Sequence, residues 1–189
     1  MKKQVLLLGN HRQTVTVVRS LNRFGFKVIV ARSRGKEYPE LSRSVDDHWI
    51  CPTIDSPYFL AELENFLKDC VPESTYIFPI GELCLKLIAT NAERLSKKAT
   101  LVMPDPSVVS LCLDKASTYI FAEKLGVPLP PSRNFQSKED WESFAQKCGY
   151  PVIIKRKNSF HPVLEKKAFT CVDAPEFAAF LNALKQSGE

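Results

Sequence analysis

Glycine is scarce in this chain, 7 among 189 residues, and none falls between Gly149 and Gly188. The first, Gly9, closes an apolar run and is followed by Asn10, His11 and Arg12, so the G-x-G-x-x-G turn of dinucleotide-binding sheets is missing. The next apolar run ends in Ala31-Arg32, where an acid would be needed to hold a ribose. Both features argue against NAD, and Arg32 is the only one that would suit NADP. No apolar stretch approaches the ~20 residues of a membrane-crossing helix. Leu6, Leu7 and Leu8 follow two lysines in the manner of a signal peptide, but Gly9 cuts the run off too early. A cytoplasmic location is therefore expected, with no membrane partner. The 6 cysteines include no C-x-x-C pair and the 3 histidines have no partner at metal-ligand spacing. Buried free thiols are expected, and no zinc site.

What is present is an ordinary globular composition, 44% hydrophobic and 25% charged, enough for one domain or two small ones. The net charge of +5 serves solubility and also suits an anionic ligand such as a nucleotide, without calling for nucleic acid. Apolar runs at Lys3 to Gly9, Phe26 to Ala31, Thr75 to Ile80 and Thr100 to Met103 read as strands, with a shorter one at His48 to Cys51. Helical periodicity connects them. Thr14 to Phe24 places Val15, Val18 and Leu21 on one side. Ser56-Pro57 opens a helix with the stripe Phe59, Leu60, Leu63, Phe66 and Leu67, and Glu82 to Leu95 forms another. The polar stretch Arg32 to Asp47 reads as an irregular loop. Strand and helix alternating in this way predict an α/β fold, a small Rossmann-like parallel sheet with helices on both faces over residues 1–110.

Residues 111–189 follow a different rhythm. Ser107 to Cys112 makes a short linker helix, and Asp114 caps the helix after it. Gly126 ends that helix, and Pro128, Pro130 and Pro131 enforce an extended exit. Ser137 and Asp140 form a capping box for a helix with Trp141, Phe144, Ala145 and Cys148 on its apolar face. Gly149 closes it, and Pro151 to Lys155 is a short apolar strand. Ala168 to Val172 makes a last strand, and Asp173 caps a final helix lined by Phe177, Phe180, Leu181 and Leu184.

The order Asp114-Lys115, then Gly126-Val-Pro-Leu-Pro130, then Tyr150-Pro-Val-Ile-Ile-Lys155 resembles the first half of an ATP-grasp domain, as in carbamoyl-phosphate synthase large chains, biotin carboxylase and D-alanine ligase. The resemblance implies a pre-ATP-grasp domain over 1–110 and an incomplete α+β ATP-grasp subdomain over 111–189. It implies that Lys115 and Lys155, with Lys157 beside them, meet the phosphates of ATP. A lysine ending a buried strand needs an anion to offset its desolvation, and no acid adjoins Lys155. In such enzymes the loop after this strand folds over the triphosphate and is rich in glycine. Here it carries Arg156, Lys157, His161, Lys166 and Lys167 against the single acid Glu165.

The resemblance further implies that the first sheet holds the acceptor substrate, with Gly9, Asn10 and Glu82 at its C-terminal strand ends. Adenine and Mg2+ would be held by a second subdomain that follows these residues, so the chain is expected to be a fragment, inactive alone. The expected partners are a nucleotide, a small carboxylate and that missing subdomain; the oligomeric state is open, a homodimer included. The rival reading is a non-catalytic module that keeps a remnant of the fold.

Overall fold

A computed structural model describes residues 3–33, 42–133, 137–155 and 168–186. The chain forms two compact units, Met1–Ser110 and Leu111–Glu189.

The first unit is a five-stranded parallel sheet in the order β3-β2-β1-β4-β5. Its strands are β1 (Gln4–Leu8), β2 (Lys27–Ser33), β3 (Asp47–Cys51), β4 (Thr75–Pro79) and β5 (Thr100–Leu101). Side chains alternate across a strand, and β1 and β2 are apolar at every central position, so both faces of the sheet bury core. Leu6, Leu8, Ile29 and Ala31 face α2 (Phe59–Leu67) and α3 (Glu82–Thr90), where Phe59, Leu63, Leu67, Cys84 and Ile88 complete one core. Val5, Leu7, Val28 and Val30 face α1 (Arg12–Arg23) through Val18.

Three expectations need correction. The helix after Ser56 starts only at Phe59; Ser56 opens the turn that leads into it, its carbonyl accepting from Phe59 N–H at 3.1 Å and its hydroxyl from Tyr58 N–H at 3.3 Å. The single helix expected over Glu82 to Leu95 breaks at Asn91, whose Nδ2 donates to Leu87 O at 2.8 Å, and resumes as α4 (Ala92–Leu95). An asparagine that bonds a carbonyl one turn back competes with the backbone ladder in this way. In α1 the inward residues are Thr14 and Val18, with Val17 and Leu21 beside them, in place of the expected Val15.

In the second unit, α5 (Pro106–Leu113) leads from the first unit to α6 (Lys115–Lys124), capped as expected by Asp114, whose carboxylate accepts from Ser117 N–H at 2.8 Å. Helix α7 (Lys138–Cys148) starts at Ser137, whose hydroxyl accepts from Asp140 N–H and donates to its carboxylate. Strands β6 (Val152–Lys155) and β7 (Ala168–Cys171) pair antiparallel, and α8 (Ala174–Gln186) covers them. Asp173 accepts from Glu176 N–H while Glu176 accepts from Val172 N–H, a reciprocal cap. Ala145, Ile154, Cys171, Phe177 and Leu181 are the buried core, ringed by Trp141, Tyr150 and Phe169.

The expectation of buried thiols holds for Cys51, Cys84 and Cys171 and fails for Cys112 and Cys148, which are exposed. Cys148 is in the last turn of α7, beyond the part that the second core reaches.

Candidate functional site

In the first sheet β1 leads to β2 on one side, while β4 leads to β5 on the other. The connections part between β1 and β4, and their helices lie on opposite faces. A crevice opens at such a point beyond the C-terminal strand ends, which is where open α/β sheets take ligands. Here the two exits are in register, Leu8 opposite Pro79, and are tied by Ile80 N–H donating to Leu8 O at 2.6 Å.

Both exits turn on glycine. Gly9 has φ +106° and Gly81 has φ +95°, the left-handed region that side chains disfavour. A Cβ on Gly9 would also overlap the Ile80 carbonyl oxygen. The tight turns bring the starts of α1 and α3 to the same crest, so free backbone N–H groups and two helix dipoles point there.

Thr14 fixes the first turn. It is fully buried, its hydroxyl donates to Gly9 O at 2.7 Å, and it accepts from His11 N–H at 2.9 Å. The His11 ring faces back to the helix start in the manner of a capping box without closing a full cap bond. Its Nε2 lies 3.0 Å from where a Gly81 Cβ would stand, so the imidazole lies across the Gly81 backbone. Asn10 lies between, half-buried, and its Nδ2 is buried with no hydrogen-bond partner among the described residues. Glu82 is exposed in the first turn of α3, where a carboxylate favours the dipole.

Of the residues expected to hold the acceptor, Gly9, Asn10 and Glu82 thus all belong to this crest. His11 and Thr14 were not anticipated. Nothing local in the sequence marks His11, because its position matters only once β1 and β4 are neighbours.

Cys84, also in the first turn of α3, is turned into the core. Burial, with a smaller effect from nearby Cys51, pushes its thiol up to about 11, which makes it an inert thiol rather than a nucleophile.

In the second unit Lys115 is the first residue of α6 and Lys155 the last of β6, and both are exposed. The premise that Lys155 ends a buried strand is corrected: only Ile154 of β6 is buried, and Ile153 is 59% exposed. One face of this two-stranded sheet is covered by helices, so Lys155 reaches water and pays no desolvation penalty there. Lys157 and the basic run through Lys167 lie outside the described residues. Among the described residues no three His, Cys, Asp or Glu side chains group as a metal site.

No family model matches the chain. The bifunctional purine synthesis protein purC/E of Dictyostelium discoideum is 33% identical over 69 residues, 36% of this chain and 7% of that protein. The formate-dependent phosphoribosylglycinamide formyltransferase of Azotobacter vinelandii is 28% identical over 153 residues, covering 80% of this chain and 36% of its own length. Among solved structures, the biotin carboxylase domain of Hydrogenobacter thermophilus 2-oxoglutarate carboxylase, in complex with MgADP, ADP and bicarbonate, superposes with TM-score 0.74 at 16% identity, over 99% of this chain and 41% of that one. N5-carboxyaminoimidazole ribonucleotide synthetase from Thermotoga maritima gives 0.67 at 17% identity, over 94% and 43%. The chain therefore spans less than half the length of these relatives. They do not single out carbamoyl-phosphate synthase. The chain has the fold of the amino-terminal part of ATP-grasp enzymes.

Proposed function

We propose that the chain is the acceptor-holding, amino-terminal part of an ATP-dependent carboxylate–amine or carboxylate–thiol ligase that works through an acyl phosphate. The observation that carries this reading is the crest between β1 and β4, where two glycine turns, two helix starts and an unpartnered amide converge. Gly9 and Gly81 let a substrate approach the backbone closely; the Asn10 amide and Glu82 carboxylate supply directional contacts to it. Lys115 and Lys155, with Lys157, neutralise the phosphates of ATP, an electrostatic role that side chains of one charge can fill without covalent chemistry. ATP supplies the phosphoryl group that turns a carboxylate into an acyl phosphate, releasing ADP; an amine or thiol then attacks the acyl carbon and displaces inorganic phosphate. A second subdomain holds adenine and Mg2+ in this proposal, and the working enzyme is cytoplasmic.

The Azotobacter relative is, by its name, a formate-dependent phosphoribosylglycinamide formyltransferase. The narrowest form of the proposal, a carbamoyl-phosphate synthase-like chain, rests only on the order of motifs from Asp114 to Lys155.

The test is a comparison of the 189-residue chain with a protein extended by the second subdomain. Titration calorimetry should show little or no ATP binding by the first, and clear binding with carboxylate-dependent phosphate release by the second. Failure of the extended protein to bind ATP would leave the second reading, a non-catalytic binding module. The glycine-free run from 150 to 187 favours that reading, because glycine N–H groups are what usually let such a loop close on phosphate.

A further inference from the structure

We infer that the outer face of α1 is a docking surface for an acidic protein segment, independent of the ligase reading. Arg12, Thr16, Arg19 and Arg23 recur at i, i+4, i+7 and i+11, and all four are exposed. At about 100° per residue they fall within an arc of about 60°, opposite the inward-facing Thr14, Val18 and Leu21. The three arginines span about 16 Å of one helix face. No Asp or Glu occurs in α1, and the first acid of the chain is Glu37. Among the described residues none of the three arginines forms a salt bridge. The acids Glu62, Glu64 and Asp69 belong to α2 and the turn after it, against the other face of the sheet.

This one-signed face costs the helix stability. Arg12 stands in the first turn, where the dipole opposes a cation, and Arg19 and Arg23 are like charges one turn apart. Only Arg23, in the last turn, suits the dipole. A glutamate in place of Thr16 would pair with both Arg12 and Arg19, yet no acid is there. Arg19 is also held in place, its Nε donating to Ser42 Oγ at 3.2 Å, with its two Nη groups left to meet a carboxylate. Next to Arg23, at the end of the helix, Phe24 is 80% exposed and supplies an apolar anchor. Charge complementarity selects the partner. A second copy presenting the same face would set arginine against arginine. Single-stranded nucleic acid calls for a row of stacking rings, and a membrane for a broad apolar face, where α1 offers one phenylalanine. An acidic helix with carboxylates at the same spacing and an apolar residue against Phe24 fits.

The probe is a synthetic helical peptide of about four turns, with glutamates at i, i+4, i+7 and i+11 and a leucine at each end. Its binding to the 189-residue chain is followed by fluorescence anisotropy and by backbone amide shifts in NMR, at physiological ionic strength. The peptide should bind in one saturable curve and move the amides of α1 and Phe24. Replacing Arg12, Arg19 and Arg23 together by glutamine should weaken it about tenfold, the combined effect of three exposed charge contacts. Glutamine at Lys68, Lys97 and Lys147, which are exposed elsewhere and carry the same total charge, should change it less than about twofold. Phe24→Ser should weaken the leucine peptide and leave a version with serine in place of leucine unchanged.

Absence of peptide binding, or an equal loss from the two triple variants, would overturn the inference, since binding would then be missing or follow net charge alone. Tighter binding of single-stranded oligouridine or of phosphatidylserine vesicles, lost in the arginine variant, would overturn the choice of a protein partner. Should the arginine variant fail to fold, the wild-type amides decide: shifts centred on α1 support the inference, and shifts centred elsewhere refute it. The nucleotide-binding test of the extended protein is independent of each of these results.

Discussion

Replacing Gly9 by alanine should damage the first unit far more than the same change at Gly25, although both glycines have positive φ, +106° and +81°. The conformational cost of holding an L-residue in the left-handed region is roughly 1–2 kcal/mol and is shared by both. At Gly25 nothing lies within 4 Å of the added Cβ, so that cost is the whole effect. At Gly9 the new methyl overlaps the Ile80 carbonyl oxygen. Relief requires the exit of β4 to move, against the hydrogen bond from Ile80 N–H to Leu8 O. Forcing an extra carbon into packed surroundings adds about 1–3 kcal/mol. The expected loss is thus about 2–5 kcal/mol for Gly9→Ala, a large share of the 5–15 kcal/mol typical of a domain. Urea unfolding followed through Trp49 reports this unit, because Trp49 packs against Phe59 and Phe66 with ring centroids 5.6 and 5.2 Å away. A Trp141→Phe background removes the other tryptophan. Equal midpoints for the two alanine variants would refute the close approach of β1 and β4 exits on which the crest depends.

Thiol labelling of the native chain should modify Cys112 and Cys148 quickly and Cys51, Cys84 and Cys171 only on unfolding, as read by mass spectrometry of labelled peptides. Because the Cys84 thiol is pushed up to about 11 from its ordinary 9.0, the folded state holds that proton longer than the unfolded one. Its contribution to stability is complete below about pH 9 and is lost as pH rises toward 11. Cys84→Ala should flatten that part of the alkaline stability curve; an unchanged slope would contradict the burial. Phe177→Ala should cost about 3–5 kcal/mol in the second unit, since Phe177 is 4% exposed and meets both Trp141 and Tyr150. The loss should appear in Trp141 fluorescence, and a native-like midpoint for that probe would contradict its place in the core.

Much of the fold was legible because its signals are local. The unbroken apolar run of β1 and the 3.6 stripe of α2 depend on neighbours along the chain, so Leu6, Leu8, Leu63 and Leu67 could be placed inside from sequence. The caps at Asp114 and Asp173 were legible for the same reason, since a carboxylate three residues before a free N–H is a sequence feature. The break at Asn91 was not, because an asparagine inside an apolar stripe bends a helix only when its side chain turns back on a carbonyl. Thr14 reads as an ordinary polar first-turn residue; its burial comes from the Gly9 carbonyl that it satisfies. Gly9, Asn10 and Glu82 could be named as strand-end residues, yet their meeting at one crest needed the strand order. Lys155 shows the opposite failure: four apolar letters suggest a buried strand, but only one face of β6 has cover.

In the proposed enzyme Lys115 and Lys155 serve one triphosphate. A double-mutant cycle for ATP binding, measured by calorimetry on the protein extended by the second subdomain, tests it most directly. Each of Lys115→Ala and Lys155→Ala should weaken ATP at least about tenfold, and the pair should lose less than the product, because both act on one anion. Single variants that bind ATP as tightly as the parent would contradict the claim.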